Sequence, residues 1–371
     1  MSPADEDERF MAAALAIGRR GQGLCAPNPA VGALIIKEGV IVGRGATRPG
    51  GRPHAETEAL TAAGVEAQGA TLYVSLEPCC HQGQTPPCTQ AIIAAGVKRV
   101  VYAVQDVDPR ALGRAEAILK SAGLKVHSGV LAGEAARAHR GHFLRVTEGR
   151  PMLTLKLAVT ADFYAGALPG EPRLKVTGDA ADDLVHMERA QHDAVMVGIG
   201  TVMSDDPLFT VRLPGLETRK PLRVVLDSHL RLPHFTKLAT TAAYHPTLVI
   251  TGSDAPAKRE EVLREAKIDV LRIPYSQKNG RLSLAHALKG LGQRGLTRVF
   301  CEGGPSLAVG LINKGLADEV MIFTSPEFLQ HKGLLALDPS TAARLADTRH
   351  YRLLRERQIG ADRLTLYERR V

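Results

Sequence analysis

The sequence predicts an α/β chain made of two domains in tandem. Two observations carry that prediction. Short β-branched runs alternate with segments of helical apolar spacing along the chain. The alternation is interrupted by a polar, basic stretch, His139 to Arg150, and its end, Glu148-Gly149-Arg150-Pro151, reads as a boundary. A chain of 371 residues has room for two or three domains. We therefore expect domains over residues 1–148 and 149–371.

In the first part, Phe10, Ala13, Ala14 and Ile17 stand at helical spacing and predict an amphipathic helix from Glu8 to Arg19. Ala33 to Lys37 and Val40 to Arg44 form a hairpin around Glu38-Gly39. His54 to Ala63 reads as helix, with His54 and Glu56 in its first turn. Strands follow at Thr71 to Leu76 and Arg99 to Val104, with a helix at Gln90 to Ala95 between them. Lys120 to Val126 carries the end of another helix and a further strand. This order predicts a three-layer α/β domain.

The second part opens on a strand, Met152 to Val159, that contains Lys156. A helix is predicted over Ala180 to Arg189, and strands at Ala194 to Val197, Leu222 to Leu226, Thr247 to Ile250, Val270 to Ile273 and Val299 to Cys301. Helices between several of these imply a largely parallel sheet. Two strands run into glycine turns, Gly198-Ile199-Gly200-Thr201 and Glu302-Gly303-Gly304-Pro305-Ser306. Such turns are either tight βα connections or places where a phosphate meets bare backbone amides. Two at strand ends favour a dinucleotide site, because ligands of open α/β sheets gather at the carboxyl edge.

Composition narrows the function classes. The net charge of +8 is mild and its cations are scattered, which argues against a nucleic-acid surface. The five cysteines have no disulfide framework and suggest a reducing compartment with thiols kept for metal. No stretch is long and apolar enough to span a bilayer, and the acidic start does not read as a secretory signal. A cytoplasmic protein is expected.

The chemistry concentrates in Pro53-His54-Ala55-Glu56 and Glu77-Pro78-Cys79-Cys80-His81-Gln82-Gly83-Gln84-Thr85-Pro86-Pro87-Cys88. One imidazole and two thiols suit zinc, and three protein ligands leave a fourth position for water. Glu56 is too near His54 to serve as a fourth ligand and fits a proton shuttle. Cys79 follows Pro78 where a ligand is expected, so Cys80 is assigned to the loop, and His81 to the substrate side. Asn28, between Pro27 and Pro29, is either part of a stiff turn or an amide aimed at a heterocycle.

His-x-Glu followed by Pro-Cys and a later Cys marks zinc nucleobase deaminases. The eight residues between Cys79 and Cys88 set this chain apart from the cytidine and tRNA adenosine types. Pro27-Asn28-Pro29-x-Val31-Gly32, His54-Ala55-Glu56 and Pro78-Cys79-x-His81-x-Gly83-x-Thr85-Pro86-Pro87-Cys88 resemble the deaminase half of the bifunctional riboflavin-biosynthesis deaminase-reductases. The second part resembles their reductase through Leu155-Lys156-Leu157-Ala158, Gly198-x-Gly200-Thr201-Val202-x-x-Asp205-Asp206-Pro207, Thr210-Val211-Arg212, Arg223 to Ser228 and Glu302-Gly303-Gly304-Pro305.

The resemblance implies a cytidine-deaminase-like domain followed by a dihydrofolate-reductase-like one. It implies zinc on His54, Cys79 and Cys88, with Glu56 as proton carrier. Asn28 and His81 would meet a small phosphorylated pyrimidine, which loses an exocyclic amine. NADPH would then reduce its ribosyl group to ribityl. Ala158, Thr201, Asp205, Ser228, Gly303, Gly304, Pro305 and Ser306 match cofactor positions. Lys156, Arg189, Phe209, Arg212 and Glu302 match substrate positions, and Asp205 is the candidate for a catalytic polar role. A homo-oligomer without nucleic acid is expected. The alternatives are a second domain that only binds substrate, and a nucleic-acid deaminase. The chain departs from the family pattern at Thr47, Gln84, Phe163, Lys175 and Asp182.

Overall fold

The computed structural model describes residues 3–168, 171, 174–276 and 280–370. They form two compact units: residues up to Arg150 with Arg294–Thr297, and Pro151–Gln293 with the residues from Arg298 onward.

The first unit runs α1 Pro3–Arg19, β1 Gly32–Lys37, β2 Val40–Ala46, α2 Ala55–Ala63, β3 Thr71–Val74, α3 Cys88–Ala94, β4 Arg99–Tyr102, α4 Arg114–Ser121, β5 Lys125–Ser128 and α5 Ala132–Glu148. Its five strands lie in the order β2-β1-β3-β4-β5. β1 is antiparallel to β2 and β3, and β3, β4 and β5 are parallel. The two-residue period of the strands builds the layers. Ala33, Ile35, Leu72 and Val74 face Ala55, Ala59 and Ala63 of α2, Ile92 of α3 and Leu119 of α4. Leu34, Ile36 and Tyr73 face Phe10, Met11 and Ala14 of α1 and Ala135 of α5. The expected three-layer arrangement is present, with two corrections. His54 stands outside α2 as its N-cap, with extended dihedrals (φ −73°, ψ 159°), rather than inside the first turn. Cys88 is the first residue of α3, which begins two residues earlier than expected.

A buried carboxylate fixes the exit of β3. Glu77 accepts the backbone N–H groups of Asp106, Gly113 and Ala115 at 3.3, 3.0 and 3.1 Å. It therefore ties the first ligand-bearing loop to the segment that leads into α4. Glu77→Ala would strand those donors, and unmade hydrogen bonds to a buried charged group cost about 1.5–3 kcal/mol each. We expect a loss of about 3 kcal/mol or more, measured as a lower urea midpoint of the unit.

The second unit runs β6 Met152–Val159, β7 Tyr164–Gly166, α6 Asp179–Gln191, β8 Ala194–Gly198, α7 Ile199–Asp205, β9 Leu222–Leu226, α8 Lys237–Thr240, β10 Thr247–Gly252, α9 Ala257–Glu265, β11 Asp269–Ile273, α10 Leu284–Gln293, β12 Arg298–Cys301, α11 Pro305–Asn313, β13 Glu319–Thr324, β14 Leu334–Leu335, α12 Pro339–Ala346, β15 Tyr351–Ile359 and β16 Asp362–Arg369. Nine strands form one sheet in the order β11-β10-β9-β8-β12-β6-β13-β16-β15. From β11 to β13 all neighbours are parallel, and β16 and β15 close the edge antiparallel. β6 pairs Thr154 with Phe300 and Lys156 with Met321, so Thr154, Lys156 and Ala158 share the sheet face on which α6 packs through Ala181 and Val185.

Candidate functional site

The loops of the first unit bring three ligands together. His54 precedes α2, Cys79 follows β3, and Cys88 opens α3. Their ligand atoms all lie within 4.8 Å of one another, and no other such group of His, Cys, Asp and Glu occurs among the described residues. His54 Nδ1 is 3.6 Å from Cys79 Sγ and 3.4 Å from Cys88 Sγ. Tetrahedral zinc with ordinary bond lengths requires nitrogen–sulfur edges of about 3.6 Å, so the donor set fits this metal.

Electrostatics in the cluster favour a thiolate at Cys79. Hydrogen bonding from Cys88 and His54 holds its thiol down at about 4. The backbone N–H of Cys88 also donates to Cys79 Sγ at 3.3 Å. Cys88, donating to Cys79 and buried, is pushed up. Glu56 lies beside them in α2 and is only 4 % exposed. Burial, and then the Cys79 charge, push its carboxyl up to about 7. A cation held by the three ligands would act in the opposite direction.

Asn28 reaches the ligand cluster from another loop. Its Nδ2 donates to Gly51 O at 2.8 Å and lies 3.3 Å from His54 Nε2. Gly51 is obligatory there: its φ is +89°, and a Cβ would fall 2.8 Å from Asn28 Cβ. His81 Nδ1 is shielded from solvent without a hydrogen-bond partner, which suits a group waiting for a ligand. Cys80 donates to Arg110 O at 3.4 Å and stays out of the ligand set. Thr47, a departure from the family pattern, is structural: its Oγ1 accepts Val31 N–H at 3.0 Å.

In the second unit the strand order aligns the glycine turns. β9, β8, β12 and β6 are parallel neighbours, so Ser228, Gly198, Glu302 and Ala158 stand at one carboxyl edge. A Cβ on Gly304 would lie 3.4 Å from Thr201 Oγ1, so the two turns adjoin. A Cβ on Gly303 would lie 2.6 Å from Leu307 Cδ2, so the Leu307 side chain would have to shift to admit one. This cradle, bare of side chains at the start of α11, fits the phosphates of a dinucleotide.

Beside it, Arg189 of α6 donates from Nε and Nη2 to the two Glu302 oxygens at 2.5 and 2.8 Å. Its guanidinium carbon sits 5.5 Å from the centroid of the Phe209 ring. Burial works to raise the Glu302 carboxyl, but Arg189, Lys156 and His186 outweigh it and hold it below the usual range. Arg189, Asp205, Phe209, Arg212 and Lys237 line a cavity of about 260 Å³. Burial and the nearby Arg189 charge push Arg212 down, as expected where two guanidiniums share a pocket that would welcome an anion.

The family model described as the RibD C-terminal domain matches residues 151–358, and that of the cytidine and deoxycytidylate deaminase zinc-binding region matches residues 4–104. A riboflavin biosynthesis protein RibD of Aquifex aeolicus is 38% identical over 87% of this chain and 88% of its own length. The chain belongs to the RibD family. The RibD of Escherichia coli is 36% identical over 96% of this chain and 98% of its own. A solved RibD structure from Acinetobacter baumannii superposes with a TM-score of 0.85 at 32% identity, covering both chains completely. The RibD-family chain is thus a bifunctional deaminase and reductase of riboflavin biosynthesis, with a zinc-binding deaminase domain, a dihydrofolate-reductase-like domain and NADPH as reductant. No helix among its described residues is long and apolar enough to cross a membrane.

Lys175 and Asp182 meet in the structure. Lys175 Nζ pairs with Asp179 at 2.6 Å and with Asp182 at 3.5 Å. Phe163 has a positive φ of 70°. Sequence reasoning missed His186, whose Nδ1 accepts Arg212 N–H at 3.2 Å and lies 3.5 Å from Arg189 Nη1. Helical spacing from Arg189 was the available signal, since residues three apart share a helix face. It also missed Arg52, which bonds to Thr85 across the wide loop.

Proposed function

We propose that residues 1–148 deaminate 2,5-diamino-6-(5-phosphoribosylamino)pyrimidin-4-one and that residues 149–371 reduce the product's ribosyl group to ribityl. The observation that carries the first half is the triad of ligand atoms within 4.8 Å, with buried Glu56 beside it. A solved neighbour from Thermotoga maritima, 29% identical with a TM-score of 0.84, is described as a diaminohydroxyphosphoribosylaminopyrimidine deaminase/5-amino-6-(5-phosphoribosylamino)uracil reductase.

His54, Cys79 and Cys88 hold zinc, whose Lewis acidity brings the ionisation of water into the neutral range. Asn28 orients the pyrimidine: with its amide N–H on Gly51 O, its carbonyl remains to accept from a ring substituent. His81 donates or accepts at the substrate. Glu56 accepts a proton as water attacks the amine-bearing carbon and passes it to the ring nitrogen; it then takes the proton of the new hydroxyl and passes it to the amine, so that the C–N bond breaks, a carbonyl forms and ammonia leaves.

In the second unit, Gly303, Gly304, Pro305 and Ser306 cradle the NADPH phosphates, with Ala158, Thr201 and Ser228 lining the remainder. NADPH supplies the hydride. Arg189, Arg212 and Lys156 answer the substrate phosphate and hydroxyls, Glu302 anchors hydroxyls, and Phe209 packs against the substrate. Asp205 is assigned a polar catalytic role from its place on the cavity wall. The chain acts as a cytoplasmic homo-oligomer and binds no nucleic acid.

The test is one preparation with both steps followed and zinc measured. Chelation is expected to abolish ammonia release and leave NADPH oxidation on the deaminated intermediate unchanged. Loss of both activities together, or of neither, would contradict the assignment of one reaction to each unit.

A further inference from the structure

We propose that Arg52 is a substrate-phosphate anchor of the deamination site. This rests on the phosphorylated substrate proposed above. A phosphate ester brings close to two negative charges and is best met by a guanidinium, whose planar fork matches its oxygens.

Arg52 stands two residues before His54 and is half-buried. Its Nη1 donates to Thr85 Oγ1, in the wide loop between Cys79 and Cys88. Its Nη2 lies against Gly83, where an added Cβ would come within 3.1 Å. The guanidinium therefore lies against this loop, on the residue two before the ligand His54. Nearby arginines are neutralised: Arg48 pairs with Glu58 and Arg110 with Asp108. Arg52 has no carboxylate partner among the described residues. Of the five N–H donors of a guanidinium, Thr85 engages one. Gln84, at the exposed crest of the same loop, offers no charge. A half-buried cation without a counter-ion, beside a catalytic cluster whose substrate carries a dianion, is a binding group waiting for that dianion.

The bland alternative is that Arg52 only props the loop through Thr85. Steady-state deamination by the zinc-loaded full chain separates the two, using the phosphorylated substrate and its dephosphorylated counterpart. For Arg52→Gln we expect KM for the phosphorylated substrate to rise at least about tenfold with kcat within about threefold, the signature of lost uniform binding. KM for the dephosphorylated compound should not move. Arg52→Lys keeps the charge but loses the fork, so its KM should fall between those of wild type and Arg52→Gln. Thr85→Val should resemble wild type, whereas a propping role predicts that it mimics Arg52→Gln. Equal losses on both substrates, or an unchanged KM in Arg52→Gln, would overturn the proposal. NADPH oxidation and zinc content in each variant report folding. Failure of the wild-type chain to release ammonia from the phosphorylated compound would instead overturn the substrate assignment, and this inference with it.

Discussion

Exchange of Glu56 for Gln is expected to slow ammonia release by about a thousandfold while zinc stays bound and NADPH oxidation is untouched, since a positioned acid/base supplies about that much. Glutamine has the shape of the glutamate and fills the same 4 % exposed position in α2, so packing is preserved. It cannot carry a proton at neutral pH, and every proton movement assigned to this site passes through that carboxyl. Position supports the role: Glu56 is buried in α2, two residues past His54. A site holding zinc only for structure predicts full activity in the variant. Ammonia release at the wild-type rate, with zinc present, would place the proton transfer on another group.

The residues that chemistry selects were legible in the sequence. A His, two Cys and a Glu at fixed offsets carry their meaning in residue type, and α2, β3 and α3 fold locally around them. The exact seat of His54 was not, because a helix boundary is set by whether one residue keeps extended dihedrals. The closing strands β15 and β16 escaped for a different reason. Tyr351 to Ile359 is largely exposed and charged, so it lacks the apolar alternation by which strands are read. The pair of Arg189 and Glu302 spans 113 residues and depends on β12 lying beside β8 and β6 under α6. No local pattern encodes such a contact; only the resemblance pointed at both partners.

That pair gives the largest expected effect in the second unit. Arg189→Met leaves the Glu302 carboxylate 9% exposed and without its bidentate partner. Breaking one side of a buried ion pair costs about 3–5 kcal/mol, because a desolvated charge is left uncompensated. The double variant Arg189→Met with Glu302→Gln removes that orphan charge and should recover much of the loss in thermal unfolding. Reduction should not recover. Arg189 and Glu302 both line the region assigned to the substrate, so NADPH oxidation is expected to fall by at least a hundredfold, or about 2.7 kcal/mol, in single and double variants alike. Stability and activity thus part company, which a purely structural pair would not allow. The pH dependence carries the same sign. Glu302 is held below its ordinary value of 4.5, so its contribution is complete above that pH and is lost as pH falls through the lower folded value. Glu302→Gln should lack this acid-dependent slope in chemical denaturation, while deamination by the first unit is unchanged. A double variant that regains reduction along with stability would show that the pair only holds the fold.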